Sequence, residues 1–190
     1  MAKDKTDKKL MEEVKTNTVK FDVKKVYDEV HVQSWYRGEA LKADKPEVAL
    51  VQSSSDDETQ MRGVLESAVN DVALRLTKRL RDVTWEIGTD DDNTGTGTGT
   101  AEEQVKITFT PFGRVPETDA DKVSLIMGKA IFDYVVNDCL ASWFSVALPD
   151  ASVAAIYEGK REGLMDRVMD ACAMLAEHPV RRRATNLCGI

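Results

Sequence analysis

Cysteine, histidine and aromatic residues are scarce in this chain, and each scarcity closes off a class of chemistry. Its 190 residues include three cysteines, Cys139, Cys172 and Cys188, an odd number with no C-x-x-C pair. A disulfide framework or a thiol-based zinc site needs more of them at tighter spacing, so reduced, unreactive thiols are expected. The two histidines, His31 and His178, lie far apart and offer no metal-ligand spacing. No metal and no cofactor are therefore expected. Aromatics reach only 6%. The phosphate-cradling, dinucleotide-binding, nucleophile-elbow and zinc-protease motifs are all absent, so catalysis is not expected. No apolar run approaches the roughly 18 residues that a membrane span requires. The opening MAKDKTDKKL puts charge where a secretion signal needs an apolar stretch, so secretion is not expected either.

What is present is the composition of a folded domain. Hydrophobic residues make up 42% and charged residues 31%. A single domain of this length buries about 70% of its unfolded surface, enough for a substantial core. The 26 basic and 33 acidic residues leave a net charge of −7. That excess disfavours a broadly basic nucleic-acid binder while leaving room for a local basic patch.

Along the chain, residues 1–21 read as a basic arm. Up to Lys25 there are eight lysines against five acids, with few apolar residues. Such a segment is a solvated tail or docks on a partner. The helical domain is expected over 22–178. Asp22 caps a first helix, whose face runs Val23, Val26, Tyr27, Val30, Ser34 and Trp35, with Gly38 as its stop. The clearest start signal follows. Ser55 and Glu58 have the capping-box spacing, and Asp56 and Asp57 add negative charge where the helix dipole favours it. Met61, Leu65, Ala68, Val72, Leu76 and Leu80 then form one stripe, with Arg75, Lys78, Arg79 and Arg81 near its end.

The period then shortens from a helical one to alternation. Val83, Trp85 and Ile87, and later Val105, Ile107 and Phe109, alternate with polar residues. These are two half-buried strands of a β-hairpin spanning about 83–110. The Asp90-Asp91-Asp92 run and the Thr94–Thr100 Thr-Gly repeat make an exposed, flexible tip over 88–104. The acids lack the spacing of a calcium loop. Thr118 or Asp119 caps a third helix that is apolar nearly all round, hence central to its domain or buried between subunits. Pro149-Asp150 breaks it. A fourth helix over about 151–176 carries Ala154, Tyr157, Leu164, Val168, Ala171 and Leu175 on one face. The short break makes the last two helices an antiparallel hairpin.

Three constellations compete for function. The carboxylate clusters Glu12-Glu13, Asp56-Asp57-Glu58 and Asp90-Asp91-Asp92 have no histidine near them in sequence, and two of the three are explained as a helix start or a solvated loop. The pairs Trp35-Tyr36 and Trp143-Phe144 are core packing or interface anchors. The tail over 179–190 carries Arg181, Arg182 and Arg183, suited to phosphate or to acidic helix starts on a neighbouring subunit, such as Asp56-Asp57-Glu58 or Asp119.

The order of elements carries a resemblance. The acid-capped DETQMRGVLESAVNDVALRLTKRL precedes a strand pair. AIFDYVVNDCLASWFSVALPD and the tyrosine-bearing YEGKREGLMDRVMDAC follow, before a PVRRR terminus. Across about residues 22–183 this layout resembles the head–tail connector, or adaptor, proteins of tailed bacteriophages. The GTGTGT tip departs from that pattern as an insertion. The resemblance implies a mainly α subunit, a four-helix connector-type bundle with an inserted β-hairpin and extended charged termini. It implies a homo-oligomeric ring, dodecameric in a connector, in the virion neck, assembled in the host cytoplasm. The ring would touch the portal protein and the next neck or tail protein. Packaged DNA would pass without sequence-specific binding, and neither membrane nor catalysis is involved. Trp35, Tyr36, Trp143, Phe144, Arg181, Arg182 and Arg183 are the expected interface residues. The alternative is a standalone soluble helical module that binds or regulates a partner through its third helix.

Overall fold

A computed structural model describes residues 16–44, 53–89, 102–111, 117–148 and 151–175. Among them the element order is β1 (Asn17–Asp22), α1 (Val23–Asp44), a short turn of 3-10 helix (Ser55–Asp57), α2 (Glu58–Leu76), β2 (Arg81–Thr89), β3 (Glu103–Thr110), α3 (Glu117–Ala147) and α4 (Ala151–Met174). The protein is mainly helical, with one three-stranded sheet.

The expected hairpin is there: β2 and β3 pair antiparallel, with Trp85 opposite Ile107 and Ile87 opposite Val105. Its strands reach Thr89 and begin again at Glu103, so they take the ends of the expected tip over 88–104. Residues 90–101 lie outside the described residues. β2 starts with an irregular register between Arg81 and Thr84, where Asp82 adopts φ 52°. Aspartate tolerates this left-handed conformation better than most side chains do.

The arm over 1–21 needs correcting. Residues 17–22 are a strand, and β1 pairs antiparallel with β3 on the side opposite β2. Val19 and Phe21 point inward between Thr18 and Lys20, a period-two pattern too short to stand out beside so many lysines. Residues 1–15 lie outside the described residues. β3 is thus the central strand, and its Val105, Ile107 and Phe109 are fully buried.

α1 runs past Gly38 to Asp44. Glu39-Ala40-Leu41-Lys42-Ala43 are good helix formers, and a single glycine costs only about 1 kcal/mol. The capping box at the start of α2 sits one residue earlier than expected. The Ser54 amide donates to Asp57 Oδ2 over 2.8 Å, ahead of the short 3-10 turn. α2 ends at Leu76, and a tight turn follows in which the Leu80 amide donates to the Leu76 carbonyl over 2.8 Å. Leu80 stays in the core all the same.

α3 and α4 form the expected antiparallel hairpin. Phe144 meets Tyr157 near the break, and Asp138 meets Arg161 further from it. α3 is the hub: it packs on α1, α2, α4 and β1. Its apolar cover is spent largely within the chain, since Met127, Ile131, Val135, Leu140 and Phe144 are all fully buried. The sheet leans on its N-terminal half, where Phe21 meets Phe132 edge-on at 5.7 Å.

Candidate assembly surface

α1 is two-faced. Val23, Val26, Tyr27, Val30 and Ser34 are buried, whereas Val32, Trp35 and Tyr36 are exposed. At about 3.6 residues per turn these two sets fall on opposite sides of the helix. Trp35 therefore leaves the stripe to which its spacing seemed to assign it. Trp35 and Tyr36 stack edge-on at 4.9 Å, so their rings brace each other in solvent. The second aromatic pair divides. Trp143 is half-buried against the core, while Phe144 is a core residue with no exposed surface, stacked on Tyr157 at 5.2 Å. Phe144 is thus corrected from interface anchor to core: the face it occupies on α3 is closed by α4. Arg181, Arg182 and Arg183 lie outside the described residues.

Further apolar side chains stand in solvent on other elements. Leu125 is 77% exposed on α3, and Val146 is 76% exposed at the end of the same helix. Ile126 and Met174 flank a shallow groove of about 360 Å³ between α3 and α4, rimmed by Lys129, Asp133, Arg167 and Asp170. These side chains are spread over separate elements rather than gathered into one patch.

The charged pairs act as clamps within the fold. Arg62 on α2 makes a bidentate pair with Glu103 at the start of β3, with one arm at 2.7 Å, and also reaches Glu66 at 2.8 Å. Its hydrogen bond holds the Glu103 carboxyl below the ordinary range and raises Arg62 further. Arg161 likewise pairs with Asp138 across the α3–α4 hairpin, and that bond raises its already high value. Burial, with a lesser push from the Asp138 charge, lifts the Cys139 thiol to about 12. Burial against the Arg79 charge lifts Cys172 to about 11. Both thiols stay protonated at neutral pH and are poor nucleophiles.

One constellation was invisible in the sequence. His31 Nδ1 lies 2.7 Å from Ser53 Oγ, and its Nε2 lies 3.4 Å from Glu58 Oε1. The carboxylates at the start of α2 therefore do have a histidine beside them, brought there by the passage of α1. Serine, histidine and carboxylate in line suggest a hydrolytic triad, but the surroundings suit a clamp. Ser53 is only 2% exposed, which closes its hydroxyl to a substrate. Its amide donates to Ser34 Oγ over 3.1 Å, and Ser34 Oγ donates to the His31 carbonyl over 3.0 Å. The network fastens α1 to the entry of α2. The separations of 19 to 27 residues left no local signal for it.

Among the described residues no group of three or more histidine, cysteine, aspartate or glutamate side chains is placed to hold a metal ion. No described helix is long and apolar enough to cross a membrane. No protein-family model, no curated protein and no solved structure matches this chain.

Proposed function

We propose that this chain is a non-catalytic assembly subunit: a head–tail connector that forms a ring with copies of itself in the neck of a tailed-phage virion. The observation that carries this reading is the spread of bare apolar side chains over separate faces, Trp35 and Tyr36 on α1, Leu125 on α3 and Val146 near the α3–α4 break. A subunit held between two neighbours in a ring, and between two further proteins along the axis, needs several such faces. In this reading the four helices form the connector-type bundle, with β2 and β3 as its inserted hairpin. The portal sits on one side and the next neck or tail protein on the other. A net charge of −7 suits a channel wall, because a passing genome is repelled rather than gripped.

The test is the mass in solution and the particle image, with and without a portal protein. Rings support the reading. A protein that stays monomeric at high concentration, and alongside a portal, overturns it and leaves the standalone binding module.

A further inference from the structure

β1 and β2 are the outer strands of the sheet, and among the described residues neither has a strand on its far side. An unpaired strand presents a row of backbone donors and acceptors, and proteins that keep such an edge single usually blunt it with proline, charge or cover. Neither strand contains proline. The irregularity at Asp82 disturbs only the first residues of β2, and from Thr84 to Thr89 its register is regular. Both strands run antiparallel to β3, so they point the same way. Two edges that point the same way on opposite sides of one sheet can meet head to tail, copy after copy, and a head-to-tail contact is the kind that closes a ring.

We infer that copies of this chain join by strand addition, β2 of one copy pairing in parallel with β1 of the next, with Glu86 set against the next copy's Lys20. The inference rests on the ring reading and specifies its contact. The side-chain rows support it. Across the sheet, β3 aligns Lys20 with Lys106 and Lys106 with Glu86. Lys106 is paired with its own Glu86 at 3.1 Å. Continuing the row into the next copy brings Glu86 beside a second lysine, an opposite-charge neighbour of the kind that stabilises adjacent strands. The same step aligns Thr84 with Thr18. On the other face it carries the half-buried Trp85 and Ile87 toward Val19 and Phe21 of the neighbour.

The receiving side has room. Beside β1 a groove of about 690 Å³ opens over α3, lined by Leu125, Gly128 and Phe132. Gly128 keeps this wall low, since even a Cβ there would come within 3.2 Å of Val19. An added strand would lay Trp85 and Ile87 over Leu125 and Phe132. Ser124 lines the same groove.

The test is disulfide trapping in a Cys188→Ser background, where the buried Cys139 and Cys172 stay out of reach. Thr18→Cys with Thr84→Cys in one chain should yield, on oxidation, a covalent ladder ending at the ring. Thr18→Cys alone should yield no cross-link. Covalent dimers from that single variant would show β1 pairing with itself and would overturn the inference. Rings by mass with no cross-link in the double variant would overturn it while leaving the ring reading intact, and monomers by mass would overturn both. Charge swaps provide a second arm. Lys20→Glu should weaken association several-fold, because the new glutamate would face Glu86 of the neighbouring copy. Adding Glu86→Lys should restore association, and Lys20→Glu rings that assemble like the wild type would refute the register.

Discussion

Between Ile131 and Phe144, α3 buries Ile131, Tyr134, Val135, Val136, Cys139, Leu140, Ala141 and Phe144, whereas Leu125 and Ile126, two turns earlier on the same helix, stand in solvent. Both stretches are apolar in sequence. The first is enclosed on several sides, with α4 closing over it at Tyr157 and Arg161. The second has β1 on one side and open grooves beside it. A hydrophobic residue reports that its surface is suited to contact. It does not report whether the contact lies within the chain or beyond it.

Removing a large side chain from each end of this contrast should separate the two cases most widely. Phe144→Ala empties a fully buried site and unstacks Tyr157, and should cost about 4 kcal/mol in chemical denaturation. A cost below about 1 kcal/mol would mean that the enclosed half is not closed at all. Leu125→Ala belongs at the other end of the scale and is taken up last.

The Arg62–Glu103 clamp joins α2 to β3, tying the enclosed side to the sheet. Both partners are partly exposed, so solvent screening limits the effect of Arg62→Ala to about 1 kcal/mol. The pH dependence has a definite sign. Glu103 titrates lower when folded than the ordinary value of 4.5, so the clamp's stabilisation is full above 4.5 and is lost as pH falls below it through the lower folded value. Stability curves of wild type and Arg62→Ala should therefore converge on acidification. Parallel curves would remove the clamp from the account.

Two helix glycines give a finer comparison. At Gly63 on α2 an added Cβ meets nothing within 4 Å, so Gly63→Ala should stabilise the protein by about 0.8 kcal/mol through helix propensity. At Gly128 the same Cβ would lie 3.2 Å from Val19, a stiff β-branched neighbour, and most of that gain should vanish. Equal melting shifts for the two variants would show that β1 rides loosely on α3. The smallest effect is expected from Leu125→Ala, within about 0.5 kcal/mol for the monomer because little surface is lost from a core. Its consequence should appear in the association constant instead, measured by sedimentation.

Much of the fold was legible because its signals are local. The serine–acid start of α2, the alternation of Val83, Trp85 and Ile87 against Val105, Ile107 and Phe109, and the Pro149 break between two apolar helices each lie within a few turns of chain. Caps, periodicity and breakers act over that distance, and the sequence by itself determined α2, the β2–β3 hairpin and the α3–α4 hairpin to within a few residues. Tertiary structure alone decided the rest. Residues 17–22 become a strand only because β3, more than eighty residues away, offers an edge. Trp35 turns outward because Val26 and Val30 already occupy the inner face of α1, and Phe144 turns inward because Tyr157 meets it. His31 finds Ser53 and Glu58 because α1 passes beside the entry of α2. The physical reason is common to all four. A side chain's propensity is set by its own chemistry and near neighbours, but its burial is set by whichever distant surface reaches it first.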